Sequence, residues 1–193
     1  MSIIVTAENP SIDPATQRQV FGALPTGVTA ITGLTEDGTP RGFVVGTFQS
    51  LSLEPPLVTF CVDKGSSTWP TLRSLGKFTA NILSTEQLPV CRALSRKGDE
   101  KFNGVDYETS PLGTPRIAGA TAWVDCEVLS EVVAGDHYMI VGSIEELVPG
   151  EGEALLFKGG KFGDFNQWPA PAPAATPAPA AAAPAPATAG KAE

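Results

Sequence analysis

The chain has few residues of the kinds that bind metal ions or nucleic acids. Its 193 residues include a single histidine, His137, so a metal site built on imidazole ligands is nearly excluded, although counting leaves open a carboxylate site for a hard cation. Acidic residues outnumber basic ones by 21 to 13, which gives a formal net charge of −8. Because phosphate backbones select basic surfaces, we expect no nucleic acid as a partner. Because the chain has a single histidine, we also expect no metal site. Local groups can still bind a small anionic ligand.

Cysteines and long apolar runs are also scarce. The three cysteines, Cys61, Cys91 and Cys126, form an odd number with wide spacings, which suits neither a disulfide framework nor a zinc site. No apolar run approaches the roughly 20 residues needed to cross a bilayer. Residues 1–14 contain neither a basic leader nor an apolar stretch of signal-peptide length. We therefore expect reduced, buried thiols in a cytoplasmic protein that does not enter the membrane.

The composition predicts one folded domain between two simpler segments. With 42% hydrophobic and 18% charged residues, the chain is typical of globular proteins. From Trp168 onward, alanine and proline dominate, with too many prolines for a helix and no alternation for a strand. We divide the chain into an N-terminal arm (1–11), a folded domain (12–167) and a disordered Ala/Pro-rich tail (168–193). The tail is either a solvated extension or a tether to a partner, although no charge pattern supports the tether.

Short β-branched runs separated by turn residues predict a mainly β domain with added helices. Residues 27–32 and 41–45 flank the turn sequence Glu36-Asp37-Gly38, which predicts an antiparallel pair. Helices are predicted over 68–75, ending at Gly76, and over 88–95, after a capping-box sequence that starts at Ser84. The number of strands is sufficient to close a small barrel. The further strands are predicted at residues 57–62, 78–83, 121–129, 138–147 and 154–157.

The segment from Gly42 to Pro56, GFVVGTFQSLSLEPP, is rich in hydroxyl and amide side chains. Gly42 and Gly46 allow the backbone to approach a flat ring closely, and the polar groups of residues 47–52 can bind a polar ligand. A Ser/Thr-rich stretch ahead of Pro-Pro is equally typical of a capped loop. From the residues alone, both interpretations stay open.

Three other places carry candidate site residues. Ser66 and Ser67 precede a predicted helix, whose free N–H groups and dipole favour a phosphate, although they can also be plain caps. Lys101 and Phe102 can supply a charge for a phosphate and an aromatic surface for a ring, or be a solvated lysine and a core phenylalanine. His137 follows a Gly-Asp turn that would hold it at the mouth of the barrel, and the alternative is a turn residue bonded to backbone.

Five sequence blocks, in the same order, resemble the flavin reductase domain family, the small reductase components of two-component flavin monooxygenases. The likeness covers most of residues 12–162, and members that serve hydroxylases of phenolic or steroid-derived rings are the most similar. It implies an FMN-binding split β-barrel that forms a homodimer. The blocks are Pro25-Thr26-Gly27-Val28-Thr29, the segment 42–56, Lys64-Gly65-Ser66-Ser67-Thr68-Trp69, Asp99-Glu100-Lys101-Phe102-Asn103-Gly104-Val105 and Ala134-Gly135-Asp136-His137.

The resemblance also implies an activity and a set of site residues. It implies that the chain reduces free FMN or FAD with NADH or NADPH, NADH being favoured, and passes the reduced flavin to a partner oxygenase. His137 is the implied catalytic residue, facing flavin and nicotinamide. The implied cofactor-binding residues are Pro25, Thr26, Gly46, Thr47, Phe48, Gln49, Ser50, Leu51, Ser52, Ser66, Ser67, Lys101, Phe102, His137 and Phe162.

The sequence departs from the usual pattern of the family at three places. They are Gly46-Thr47, where Ser-Ser or Asn-Ser is frequent, Val44, where threonine is usual, and Arg96-Lys97-Gly98. We therefore expect the segment to hold flavin chiefly through its backbone, with Ser50 and Ser52 as the main side-chain contributors. Two other functions fit the same barrel: a flavin-binding electron carrier or sensor without turnover, and a scaffold whose tail makes protein contacts.

Overall fold

The computed structural model describes residues 4–5, 12–98 and 100–167. The predicted tail, and the predicted arm apart from residues 4–5, lie outside the described residues. The helices are α1 (Pro14–Phe21), α2 (Trp69–Leu75) and α3 (Leu88–Leu94), with 3₁₀ turns at Thr85–Gln87 and Glu100–Phe102. The strands are β1 (Ile4–Val5), β2 (Thr26–Gly27), β3 (Thr29–Leu34), β4 (Pro40–Val45), β5 (Gln49–Leu53), β6 (Pro56–Asp63), β7 (Lys77–Ile82), β8 (Tyr107–Thr109), β9 (Pro115–Ile117), β10 (Ala122–Ala134), β11 (His137–Pro149), β12 (Leu156–Lys158) and β13 (Lys161–Gly163).

Most of these strands form one antiparallel sheet, in the order β4-β3-β7-β10-β11-β6-β5. Strand β1 adds to it in parallel, beside the end of β10. The predicted hairpin is confirmed, with Thr29 paired to Val45 and Leu34 paired to Pro40. Each of the other predicted strands also overlaps an observed one, and the long hairpin β10–β11 extends past its predicted end, to Ala134. In the described part of the chain, no helix is long and apolar enough to span a membrane.

The sheet curls into a barrel around an apolar core. A flat sheet cannot bring side chains from six of its strands into one cluster, so their meeting requires curvature. The open end is covered by Trp69 of α2, whose ring packs edge-on against Phe43 and Phe60 at centroid distances of 6.4 and 5.7 Å. The mainly β, split-barrel fold is therefore confirmed. The clustered residues are Ile31, Phe43, Phe60, Phe78, Val124 and Ile140.

A second core lies between α3 and the barrel and contains Leu83, Leu94 and Ile117. Cys91 belongs to it, whereas Cys126 lies inside the barrel. All three cysteines are free thiols, but the expectation that all are buried is wrong for Cys61, which is half-buried. The reason is that Cys61 borders a cleft, described below.

Local sequence signals explain where the helices begin and end. Helix α2 agrees with its prediction and ends at Gly76, whose φ of 70° suits glycine. At Ser84 the expected capping contact is present, because the Gln87 side chain accepts a hydrogen bond from the Ser84 N–H at 3.0 Å. The chain then makes a 3₁₀ turn at Thr85–Gln87, and α3 begins at Leu88, where it was predicted, next to Pro89.

A buried ion pair fastens the β8–β9 hairpin to the barrel. Arg116 of β9 donates to Asp125 of β10 and to Glu146 of β11, each at 2.5 Å. Asp125 is completely buried and also accepts a hydrogen bond from the Thr79 hydroxyl at 2.7 Å. The Glu146 side chain keeps 45% of its surface exposed. The two carboxylates therefore share one arginine but differ in their access to water.

We expect Asp125→Asn to lower the free energy of unfolding by about 3 kcal/mol, because it leaves the buried Arg116 charge poorly compensated. Glu146→Gln is the matched control and should cost less than about 1 kcal/mol, since an exposed pair contributes little. Urea unfolding followed by tryptophan fluorescence measures both losses. Equal losses would show that burial of the pair does not set its contribution.

Candidate functional site

Three clefts lie along β4, which is an edge strand of the barrel sheet. The histidine cleft has a volume of about 330 Å³ and lies between the end of β4 and the rim formed by β6 and β11. Asp63, the last residue of β6, lies directly opposite His137 in the strand pairing. The structure therefore brings His137 to the segment that was expected to hold a flat ring. Residues lining this cleft include Val45, Gly46, Thr47, Cys61, Ser66 and His137.

His137 sits at the rim, as its turn sequence predicts. The turn before it consists of Gly135, with φ 59°, and Asp136. The ring atom Nδ1 of His137 lies 2.7 Å from Asp136 Oδ1. Because an ionised carboxylate only accepts hydrogen bonds, Nδ1 carries the proton and Nε2 is left for a ligand in the cleft. The hydrogen bond from His137 holds the pKa of the Asp136 carboxyl below its ordinary value, which keeps this acceptor ionised.

The lysine cleft, of about 380 Å³, lies at the other end of β4. Lys101 Nζ is 3.1 Å from Thr68 Oγ1 and 3.4 Å from the carbonyl oxygen of Gly42. Burial, together with the positive charge of Arg41, lowers the pKa of Lys101. Two cations beside one cleft are an arrangement that favours binding of an anion. Lining residues include Arg41, Gly42, Ser67, Thr68, Lys101 and Phe102.

Arg41 is a candidate that the sequence did not single out. It lines the lysine cleft together with Lys101 and Ser67, both of which the sequence did indicate. Its neighbours Pro40 and Gly42 carry no charge, so nothing local marks it as a ligand-binding residue. Only the packing of the 3₁₀ turn at Glu100–Phe102 against β4 brings the two cations to the same cleft.

The phenylalanine cleft, of about 180 Å³, shares Val44, Val45 and Gly46 with the histidine cleft. The rings of Phe157 and Phe162 are 5.0 Å apart and are 38% and 39% exposed. A Cβ added to Gly46 would lie 2.8 Å from the Thr26 hydroxyl, so a larger residue here would have to displace the Thr26 side chain. Lining residues include Thr26, Val44, Gly46, Cys91, Phe157 and Phe162.

The segment after β4 uses its side chains for the fold. The Thr47 hydroxyl accepts a hydrogen bond from the Cys61 N–H at 2.9 Å and donates one to the Cys61 carbonyl at 3.3 Å. The Phe48 side chain packs against the barrel core. What these positions can offer a ligand is therefore chiefly their backbone, as the departures from the family pattern suggested.

Not all predicted residues come to the clefts. Residues from Gln49 to Ser52 belong to the edge strand β5, with a bulge between Ser50 and Ser52, and line none of the three clefts. The geometry thus gives no support to the two serines as side-chain contributors. Pro25 is exposed and lines none of these clefts either, whereas Thr26 beside it does.

The two serines before α2 differ in what their hydroxyls contact. Ser66 Oγ accepts a hydrogen bond from the Trp69 N–H at 3.2 Å, so it caps the helix start and also borders the histidine cleft. Ser67 is exposed and lines the lysine cleft. Of the two, Ser67 has the better position to contact an anion beside Lys101. The roles of both as ligands stay predictions.

The chain that forms these clefts matches a known protein family. Residues 21–166 match the model of the flavin reductase like domain. The chain belongs to this family. The matched range includes all three clefts and every predicted site residue. The flavin reductase resemblance that the five sequence blocks indicated is thereby confirmed.

Similar proteins agree with the family match. The chain is 47% identical over 156 residues to a flavin reductase of Pseudomonas putida, covering 80% of this chain and 92% of that one. It is 43% identical over 136 residues to HsaB, the reductase subunit of a flavin-dependent monooxygenase of Mycobacterium tuberculosis, covering 70% and 72%. Among solved structures, it is similar to the NADH:FAD oxidoreductase SgcE6 of Streptomyces globisporus in complex with NAD and FAD fragments, with a TM-score of 0.76, 33% identity and coverage of 84% and 98%.

We expect Cys61 to report on occupancy of the histidine cleft of this flavin reductase. It is the half-buried cysteine, and burial raises the pKa of its thiol, so alkylation should be slow near neutral pH and faster as the pH rises. Added FMN should slow the alkylation, because a ligand in the cleft covers the thiol. Mass spectrometry of the labelled protein measures the rate, with the buried Cys91 and Cys126 as internal controls. Unchanged Cys61 labelling at saturating FMN would place the flavin elsewhere.

Proposed function

We propose that this chain reduces free FMN or FAD with NADH or NADPH, NADH being favoured, and delivers the reduced flavin to a partner oxygenase. The observation that carries the proposal is the arrangement of the three clefts along one strand edge, with His137 at one end and Lys101 and Arg41 at the other. The similar proteins include a flavin reductase, a monooxygenase reductase subunit and an NADH:FAD oxidoreductase. Their activities and this geometry support the same reaction.

The residues present fit a flavin nucleotide. A flat ring needs close approach of backbone, and two glycines of the β4 region provide it. Gly42 and Gly46 line the lysine and histidine clefts without side chains. Both are also closely packed against the protein, because a Cβ at Gly46 would meet Thr26 and a Cβ at Gly42 would lie 2.9 Å from the Ile31 carbonyl. In our proposal the flavin ring lies against Gly46 in the histidine cleft and its phosphate end lies near Lys101. The Phe157–Phe162 pair then provides an apolar surface beside the ring.

The proposed hydride transfer does not require general acid or general base catalysis by the protein. A bound flavin supplies N5 as the acceptor of a hydride from nicotinamide C4, and the two cofactors carry out this transfer themselves. The protein has to hold the two rings in contact and to stabilise the charge that develops on the flavin. Backbone N–H groups of residues 46–48 serve the second task, because the Thr47 hydroxyl holds this segment in place. His137 serves the first through Nε2, which is free to bind the nicotinamide.

An open site suits a flavin that arrives and leaves as a substrate. Uncharged residues line most of the clefts; the cations Arg41 and Lys101 lie in the lysine cleft, and Asp63 lines the histidine cleft. We propose moderate flavin affinity for this reason. We also propose a cytoplasmic homodimer in which a second copy covers the open strand edges, because exposed edges are normally covered.

Purified protein should oxidise NADH, or NADPH, rapidly when FMN or FAD is added and slowly without flavin. Absorbance of the reduced nicotinamide follows the reaction, and riboflavin as a third acceptor tests whether the phosphate end is needed. An electron carrier or sensor would instead copurify with tight flavin and show no oxidation. Absence of flavin-dependent oxidation with every nicotinamide and flavin pair would rule out the reductase.

Variants at the two ends of β4 should separate nicotinamide from flavin binding. His137→Ala should slow hydride transfer or raise the KM for NADH by about tenfold, a modest value for loss of one orienting group, with the Kd for FMN unchanged. Lys101→Met should instead weaken FMN more than riboflavin, because only FMN carries the phosphate. Stopped-flow flavin reduction and fluorescence titration measure the two effects. Lys77→Met is the control, since Lys77 lines none of the clefts and bonds the Leu112 carbonyl.

If His137→Ala behaves like the parent protein, the orienting role of His137 is wrong. Equal losses of FMN and riboflavin affinity in Lys101→Met would show that the flavin phosphate does not bind in the lysine cleft. Neither result alone would exclude flavin reduction.

A further inference from the structure

Lys64, the first residue after β6, contacts the turn that carries His137. Its backbone N–H donates to the Asp136 carbonyl at 3.1 Å, and its Nζ donates to the Gly135 carbonyl at 2.6 Å. Nζ also lies 5.8 Å from the centroid of the Tyr138 ring. A single lysine therefore contacts both residues of the turn and the residue that follows His137.

The turn lies at the end of the long hairpin. Strand β10 pairs with β7 only over residues 122–127, and next to the turn its outer edge pairs instead with β1, through Val133 and Ala134. On the other side, the pairing of β11 with β6 ends at His137 and Asp63. Gly135 and Asp136 are both exposed. Lys64, one residue beyond the last pair between β6 and β11, therefore bonds the turn at the point where this strand pairing stops.

We propose that Lys64 is a positioning residue that holds the Gly135–Asp136 turn, so that His137 presents Nε2 to the nicotinamide in the histidine cleft. This inference rests on the proposed function. The Asp136 side chain fixes Nδ1, but it can orient the ring only if the turn itself is held. Losing the lysine side chain would remove the 2.6 Å bond and leave the backbone N–H of Lys64 as its one remaining hydrogen bond to the turn.

The alternative role for Lys64 is direct contact with a phosphate of the nicotinamide nucleotide. Lysine has three N–H donors, so the bond to Gly135 does not use them all. Direct contact and positioning differ in one measurable respect. Once the histidine ring is removed, substitution of a positioning residue has no further effect on NADH binding or flavin reduction. Substitution of a residue that contacts the phosphate still weakens NADH binding.

The kinetic test is a double-mutant cycle on the full-length protein with NADH and FMN. Lys64→Met keeps the apolar stem and removes the ammonium, and should raise the KM for NADH or slow flavin reduction severalfold without changing the Kd for FMN. Lys64→Arg, which restores a donor and a charge, should recover part of the loss. In the His137→Ala background, Lys64→Met should have no further effect. An equal loss in both backgrounds would overturn the positioning role and favour a phosphate contact.

A second readout does not depend on turnover. Because the chain has one histidine, every imidazole NMR signal of the untagged protein belongs to His137. At a pH where the ring is neutral, the parent should show the proton chiefly on Nδ1, and Lys64→Met should shift the distribution toward the other tautomer. An unchanged tautomer ratio together with unchanged NADH kinetics would overturn the inference. If the parent protein does not oxidise NADH at all, the proposed function fails, and the NMR comparison still decides whether Lys64 holds His137.

Discussion

The two hydrogen bonds between the Thr47 hydroxyl and the Cys61 backbone determine where the ends of the sheet meet. Strands β4 and β6 are far apart in the order of the sheet, and these bonds, of 2.9 and 3.3 Å, join the residues just after β4 to β6. Because β6 also pairs with β11, the join brings Gly46 to face His137. Without it, the histidine cleft would have only one wall. In our proposal, the Thr47 side chain affects flavin binding indirectly, because it joins the two strands that border the histidine cleft.

In our proposal the site combines three kinds of group. Cations lie at one end of β4, His137 lies at the other beside Asp63, and Gly42 and Gly46 leave backbone accessible near the two ends. An edge strand suits this purpose, because half of its backbone N–H and C=O groups are not used by a neighbouring strand. The Gly42 carbonyl shows this directly, since it accepts a hydrogen bond from Lys101 rather than from a strand. Flavin reduction needs positioning more than acid–base chemistry, and this arrangement supplies positioning.

Local signals in the sequence predicted much of the fold, and contacts distant in sequence account for what was missed. The β3–β4 hairpin and helix α2 follow from a turn sequence and from Gly76, which act over a few residues. Strand β5 looked like part of a polar loop because its pairing with β6 depends on the curl of the whole sheet. The same limit applies to the site. His137 could be recognised from its own turn, whereas Arg41 joins Lys101 only through packing across 60 positions of the chain.

The most direct test of this account is a crystal structure of the protein with FMN bound. The account predicts the flavin ring against the backbone of residues 46–47, with His137 at its open face and the phosphate within hydrogen-bond distance of Lys101. Binding of the ring away from β4, for example along the exposed strand β5, would contradict it.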